Sequence, residues 1–147
     1  MPQPVVERDA APAAGQASQV SSDTVLIEAV NADQAVQPGA EAVFDFTVVN
    51  GSDQAVPVVI ALEHADGQRW RTSLCVDKQC LLGDGSEPSV TDPLVLPPYL
   101  EQAFKAHVFV DAAARSGQQT ALTLSVEPLA EAAMPRSVTL MAIVGQP

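Results

Sequence analysis

The ten residues EAVFDFTVVN, positions 41–50, alternate so that Phe44, Phe46 and Val48 share one parity while Asp45 and Thr47 share the other. A period of two describes an extended strand with one buried and one solvated face, and it cannot lay an apolar stripe along a helix. Runs of the same kind recur from Thr24 onward, giving candidate strands at 24–31, 41–50, 55–63, 69–75, 101–110, 119–127 and 136–144. Between them stand QPGA, NGSDQ, HADGQ, LLGDGSEPSVTDP, AAARSGQ and EPLAEAAMP. These breaks supply glycines that reach φ > 0 and prolines with fixed φ, the chemistry of turns. About seven strands at this spacing predict an all-β, antiparallel β-sandwich.

Parity also names the core. Beside the residues of 41–50 it selects Val58, Ile60, Leu62, Trp70, Leu74, Phe104, Val108, Val110, Leu122, Leu124, Val126, Val138, Leu140 and Val144. Val59, Met141 and Ile143 fall on the opposite faces of their strands, where an apolar patch can mark a docking surface. Residues 129–134, LAEAAM, are good helix formers, so a short helical turn is expected within the connection 128–135.

Residues 1–22 are rich in Ala, Pro, Gln and Ser and show neither strand nor helix periodicity, which divides the chain into an extended tail, 1–22, and a sandwich domain, 23–147. Val5 and Val6 in QPVV, and Val20 and Val25 in SQVSSDTVLIEAV, are the tail residues expected to engage a partner by adding a strand to an exposed sheet edge.

Eighteen acidic residues against 7 basic ones give a formal net charge of −11. Nucleic acid and anionic lipid both require a basic surface that releases counterions, so neither is an expected partner. No stretch approaches the ~20 consecutive apolar residues of a membrane span, and MPQPVVERDA lacks the basic and apolar regions of a signal peptide.

Cys75 and Cys80, separated by VDKQ, are the only cysteines. They admit three readings: a disulfide closing a small ring, free thiols, or half of a metal or redox site. The spacing is not the Cys-x-x-Cys of a redox helix, and neither histidine, His64 or His107, has the short offset to another ligand that marks a zinc signature. A disulfide is the favoured reading, worth about 2 kcal/mol for so short a loop. It points to an oxidising, extracytoplasmic compartment, reached by means of an export signal or anchor not present in this chain. The acidic stretch 77–92, with Asp77, Asp84, Glu87 and Asp92, offers oxygen ligands for calcium without the spacing of an EF-hand. Neither a phosphate-binding glycine loop nor a Gly-x-Ser-x-Gly elbow occurs, and no enzymatic activity or cofactor is expected.

VQPGAEAVFDFTVVNGSD, residues 36–53, is similar to a phrase of immunoglobulin-like modules in bacterial exported proteins, where a Pro-Gly turn precedes a strand and an Asn-containing turn follows it. The resemblance extends loosely over 24–144 and implies an immunoglobulin-like fold with a surface or accessory role. It carries over no functional residues, because Trp70 precedes both cysteines and these lie too close in sequence to join two sheets.

The function expected is therefore a non-catalytic, extracytoplasmic protein-binding module, an accessory or structural subunit of a surface or membrane-associated assembly, with homo-oligomerisation left open. The alternative is a small metal-binding protein using Cys75, Cys80 and a histidine for a soft metal, or the 77–92 loop for calcium.

Overall fold

The computed structural model describes residues 25–76, 79–129 and 135–145. These carry eleven strands: β1 (Val25–Ala29), β2 (Asp33–Val36), β3 (Glu41–Asn50), β4 (Val56–Gly67), β5 (Arg71–Val76), β6 (Gln79–Gly83), β7 (Ser89–Val90), β8 (Leu94–Leu96), β9 (Glu101–Phe109), β10 (Gln119–Pro128) and β11 (Arg136–Val144). One sheet has the order β1-β3-β9-β5-β6, the other β2-β11-β10-β4-β7, with β8 also pairing β4. All pairings are antiparallel except β2 with β11. Setting aside the short edge strands, this is the immunoglobulin-like division into two facing sheets.

The alternation read from the sequence builds both inner faces. Phe44, Phe46 and Val48 of β3 and Ala106 and Val108 of β9 face Ile60 and Leu62 of β4, Leu122 and Leu124 of β10 and Leu140 of β11, and all are buried. Phe46 and Phe104 are directly opposed in the β3–β9 register, their ring centroids 5.6 Å apart at a 43° tilt. Truncating either ring would cost about 3–5 kcal/mol, because the void between two packed sheets relaxes poorly.

The expected strand 24–31 ends earlier than its sequence suggests, and a further strand follows. β1 pairs β3 in one sheet, the chain breaks at 30–32, and β2 joins β11 in the other. Asn31 makes the break tolerable. Its side-chain oxygen accepts from the Asp45 amide at 3.2 Å and its Nδ2 donates to the Val43 carbonyl at 3.2 Å, continuing the ladder where β1 leaves β3. The Gln34 amide nitrogen also donates to the Val43 carbonyl. Both Asn31 bonds are exposed, so they order the break in place of water, the side-chain amide matching the spacing of the backbone groups it meets.

Three other expectations need correction. The strand expected to end at residue 63 runs to Gly67, because a register shift between Ala121 and Leu122 leaves Ala65 as an extra residue and lets pairing resume at Asp66. The segment beyond β5, read as one long loop, contains β6, β7 and β8. Val25, read as a partner-binding residue of the tail, is a core residue: it is the first of β1, 2% exposed, and pairs Asn50. Val5, Val6, Val20 and the helical turn expected within 129–134 lie outside the described residues, apart from Leu129, which is exposed.

Asn50 closes β3 and is fully buried. Its Nδ2 donates to the carbonyls of Gln54 (2.9 Å), Leu96 (3.0 Å) and Pro97 (3.1 Å), while its Oδ1 accepts from the Ser52 amide (3.0 Å) and hydroxyl (2.8 Å). One side chain thus fastens the turn after β3 to the link between β8 and β9. The Tyr99 amide donates to the Ser52 carbonyl at 3.1 Å across the same corner.

Candidate functional site

Within WRTSLCVDKQCLLG, Arg71–Val76 and Gln79–Gly83 pair antiparallel as β5 and β6. Their register sets Cys75 opposite Cys80, and the two sulfurs are bonded across the strands with Cα atoms 4.0 Å apart. The disulfide lies on the outer face of its sheet, since the alternate residues Leu74 and Val76 point into the core. Being within one sheet, it fastens β6 to β5 rather than one layer to the other.

Among the described residues β6 has a partner on one side only. Its residues, QCLLG, include no charge and no proline, the usual devices that keep a sheet edge from pairing with another chain. By contrast, the opposite edge strand of the sheet, β1, carries Glu28, and β2 of the second sheet carries Asp33. Leu81 packs against the core while Leu82 projects outward and is 81% exposed.

The edge of the second sheet comes alongside. A Cβ on Gly83 would meet Thr72 Oγ1 at 2.7 Å and Ser89 Oγ at 2.9 Å, so glycine is what lets β6 approach β7 this closely. Between them runs a groove of about 380 Å³ lined by Leu81, Leu82, Pro88 and Val90 together with Asp84 and Glu87. Val90 is 54% exposed. The groove therefore offers backbone hydrogen-bonding groups beside aliphatic side chains, the combination that receives an added strand.

The residues singled out as ligands are arranged differently from a metal centre. Cys75 and Cys80 are bonded to each other, so neither presents a thiolate. Both nitrogens of His64 are engaged: Nε2 lies 2.8 Å from the Trp70 carbonyl and Nδ1 2.9 Å from Thr120 Oγ1. A carbonyl only accepts, which places the proton on Nε2 and makes Nδ1 the acceptor of the Thr120 hydroxyl. Burial pushes the His64 pKa below its usual value, opposed in part by the bond to Trp70.

His107, on the outer face of β9, stacks on Phe109 with centroids 6.2 Å apart and has Nδ1 3.4 Å from Glu41 Oε2. Asp84 Oδ1 accepts from the Ser86 hydroxyl at 2.6 Å and amide at 2.9 Å, bonds that hold its carboxyl below the usual carboxylate range. Glu87 and Asp92 are exposed, and Asp77 lies outside the described residues. Among the described residues no three His, Cys, Asp or Glu side chains gather as a metal-binding group.

Sequence reasoning found the disulfide and missed the edge. Leu81 and Leu82 stood in view, yet a five-residue strand between turn formers has too little alternation to be told from a loop.

No protein-family model matches the chain, and no curated protein does either. Among solved structures, the fold is similar to that of a FixG-related protein from Vibrio parahaemolyticus, at 9% identity over 84% of this chain and 99% of that one, with a TM-score of 0.55. It is similar to part of a family 123 glycoside hydrolase from Clostridium perfringens, at 10% identity and a TM-score of 0.52; the match takes in 76% of this chain and only 22% of the hydrolase. A conjugative transposon lipoprotein from Bacteroides eggerthii is similar at 10% identity over 80% of this chain and 97% of its own, with a TM-score of 0.50. At such identities the likeness is one of fold, and the fold is an immunoglobulin-like β-sandwich stapled by an intra-sheet disulfide.

Proposed function

We propose that this chain is a non-catalytic, extracytoplasmic protein-binding module, an accessory or structural subunit of a surface or membrane-associated assembly, that receives an extended segment of its partner along β6. The observation that carries the reading is the uncharged, proline-free edge of β6, held in place by Cys75–Cys80. An edge strand whose outer N–H and C=O groups meet no strand among the described residues can give affinity through backbone hydrogen bonds, and the groove lined by Leu82 and Val90 can give selectivity for alternate aliphatic side chains. The disulfide supports the compartment, since such bonds persist where thiols are oxidised. A lipoprotein with the same fold is compatible with that placement.

The test is the native mass of the gently extracted protein, beside that of Leu82→Lys, which puts a charge on the open edge and leaves the core untouched. A particle larger than the monomer, of reproducible composition and dissolved by the substitution, is the expected result. A monomer in both cases, or a particle indifferent to Leu82→Lys, would sink the reading.

A further inference from the structure

Away from β6, a groove of about 780 Å³ opens at the end of the sheet where β3 and β5 begin and β9 ends, between Glu41, Arg69, Trp70, Arg71, Phe109 and Asp111. That volume is within the range of sites that hold small ligands or short peptide segments, roughly 300–1,000 Å³. Its interest lies in two guanidinium groups in a chain where acids outnumber bases by 18 to 7.

Arg71 and Glu41 lie in one cross-strand row, but Phe109 stands between them: it pairs Glu41 on β3 and Arg71 on β5. The Arg71 guanidinium sits over the Phe109 ring, 5.9 Å from its centroid. The Glu41 carboxylate turns the other way, to His107 Nδ1 at 3.4 Å. Asp111 spends its Oδ1 on the Ala113 amide at 2.9 Å. Arg69 donates from Nη1 to the Gly85 carbonyl at 3.2 Å, which leaves most of its five N–H groups without a partner among the described residues. Among the described residues neither arginine has a carboxylate within ion-pair distance, whereas Lys105 meets Asp45 at 3.6 Å. The aromatic ring thus keeps the nearest acid from neutralising Arg71, and a guanidinium held over a ring is oriented before any ligand arrives.

We propose that this groove binds a single carboxylate carried on an extended peptide segment, the side chain of a glutamate or aspartate flanked by apolar residues. The guanidinium forks match a planar carboxylate in bidentate geometry. Glu41 and Asp111 also line the groove without pairing either arginine, so the two forks can take one carboxylate while the nearby acids repel the further charge of a dianion such as phosphate. Phe109 supplies apolar surface for the flanking residues, while Trp70 and Val110, which also line the groove, are largely buried. The site shares no wall with the β6 groove and does not depend on the strand-edge reading.

Trp70 is the only tryptophan in the chain, so intrinsic fluorescence reports on this groove. The probe is acetyl-Val-Glu-Val-amide, with acetyl-Val-Gln-Val-amide as its neutral counterpart. A saturable change with the glutamate peptide, at least tenfold weaker with the glutamine peptide and lost in Arg69→Gln/Arg71→Gln, is the expected result. Amide shifts of Gly39 and Phe109 in NMR spectra provide a second readout. Both arginines are exposed, so the double variant should melt like the parent; Arg71→Lys, which keeps the charge and removes the fork, should bind about tenfold more weakly. Absence of saturable binding by both readouts, equal binding of the two peptides, binding that survives the double substitution, or competition by inorganic phosphate at matching concentrations would overturn the proposal.

Discussion

Replacing Asn50 by alanine tests how this sandwich holds its corner. The side chain is fully buried and serves three carbonyls and two Ser52 donors. After Asn50→Ala the contact to the Leu96 carbonyl is lost in a buried setting, where an orphaned acceptor costs about 1–3 kcal/mol. Gln54 and Pro97 are exposed residues, and the carbonyl of each loses a bond worth about 0.5–1.5 kcal/mol that water restores in part. The Ser52 hydroxyl lies 3.0 Å from the Gln54 carbonyl and can turn its single proton there, so its loss is small.

The sum is about 3 kcal/mol, or a fall in Tm of roughly 10 °C for a domain of this size. Urea denaturation followed by Trp70 fluorescence measures it directly. Asn50→Asp supplies the sharper comparison. It keeps the shape and the acceptor for Ser52 but faces a carboxylate toward the Leu96 and Pro97 carbonyls, so at pH 7 it should be less stable than the alanine variant. Acidification should restore part of the difference, because the protonated acid can donate again. A cost below about 1 kcal/mol for Asn50→Ala, or full stability of Asn50→Asp at neutral pH, would refute the claim that this side chain fastens the two segments.

Breaking the disulfide with Cys75→Ser/Cys80→Ser should lower stability by about 2 kcal/mol, and hydrogen exchange should locate the loss in β6 more than in β3 or β9. Stability should fall with pH on account of His64. Its folded pKa is depressed, so the unfolded chain takes up a proton first, and the contribution is whole above about pH 6.5 and lost as the pH falls toward the folded value. Urea midpoints between pH 7.5 and 5.5 should show a slope that His64→Asn reduces. Gly67 adopts φ +86° beside β10, and an added Cβ would stand 2.3 Å from the Gln119 carbonyl oxygen. Gly67→Ala should therefore cost at least about 2 kcal/mol, measurable by thermal denaturation, where alanine at an unhindered, compatible position would be neutral or stabilising.

The long strands were legible because each carries several alternations: the boundaries expected for 41–50 and 136–144 coincide with β3 and β11. DQAV was absorbed into a break because four residues before a Pro-Gly turn offer little periodicity, and because its parallel pairing with β11 is a tertiary event. Trp70 was correctly assigned to the core by parity. Val25 lay inside the expected strand 24–31, and its partner-binding reading fails because the short run VLIEA does not say whether the first residue of the strand faces the core or a partner. The arginine groove was invisible for another reason. Its residues come from three separate segments, 39–41, 69–71 and 109–112, and only the β3–β9–β5 register puts Phe109 between Glu41 and Arg71.

The parallel pairing of β2 with β11 has a mechanical consequence. Asp33 pairs Met141 and Val36 pairs Val144, so the chain enters this ladder at one end and leaves at the other. Tension applied between the segment before β1 and the segment after β11 acts along both strands, and the ladder bonds resist together in shear instead of opening one after another. The β1–β3 pairing adds five register pairs to the same load-bearing end. Cys75–Cys80, across the β5–β6 pair, is outside that path. A module of this kind can carry load between whatever is joined to its two ends while its disulfide-held edge stays unloaded.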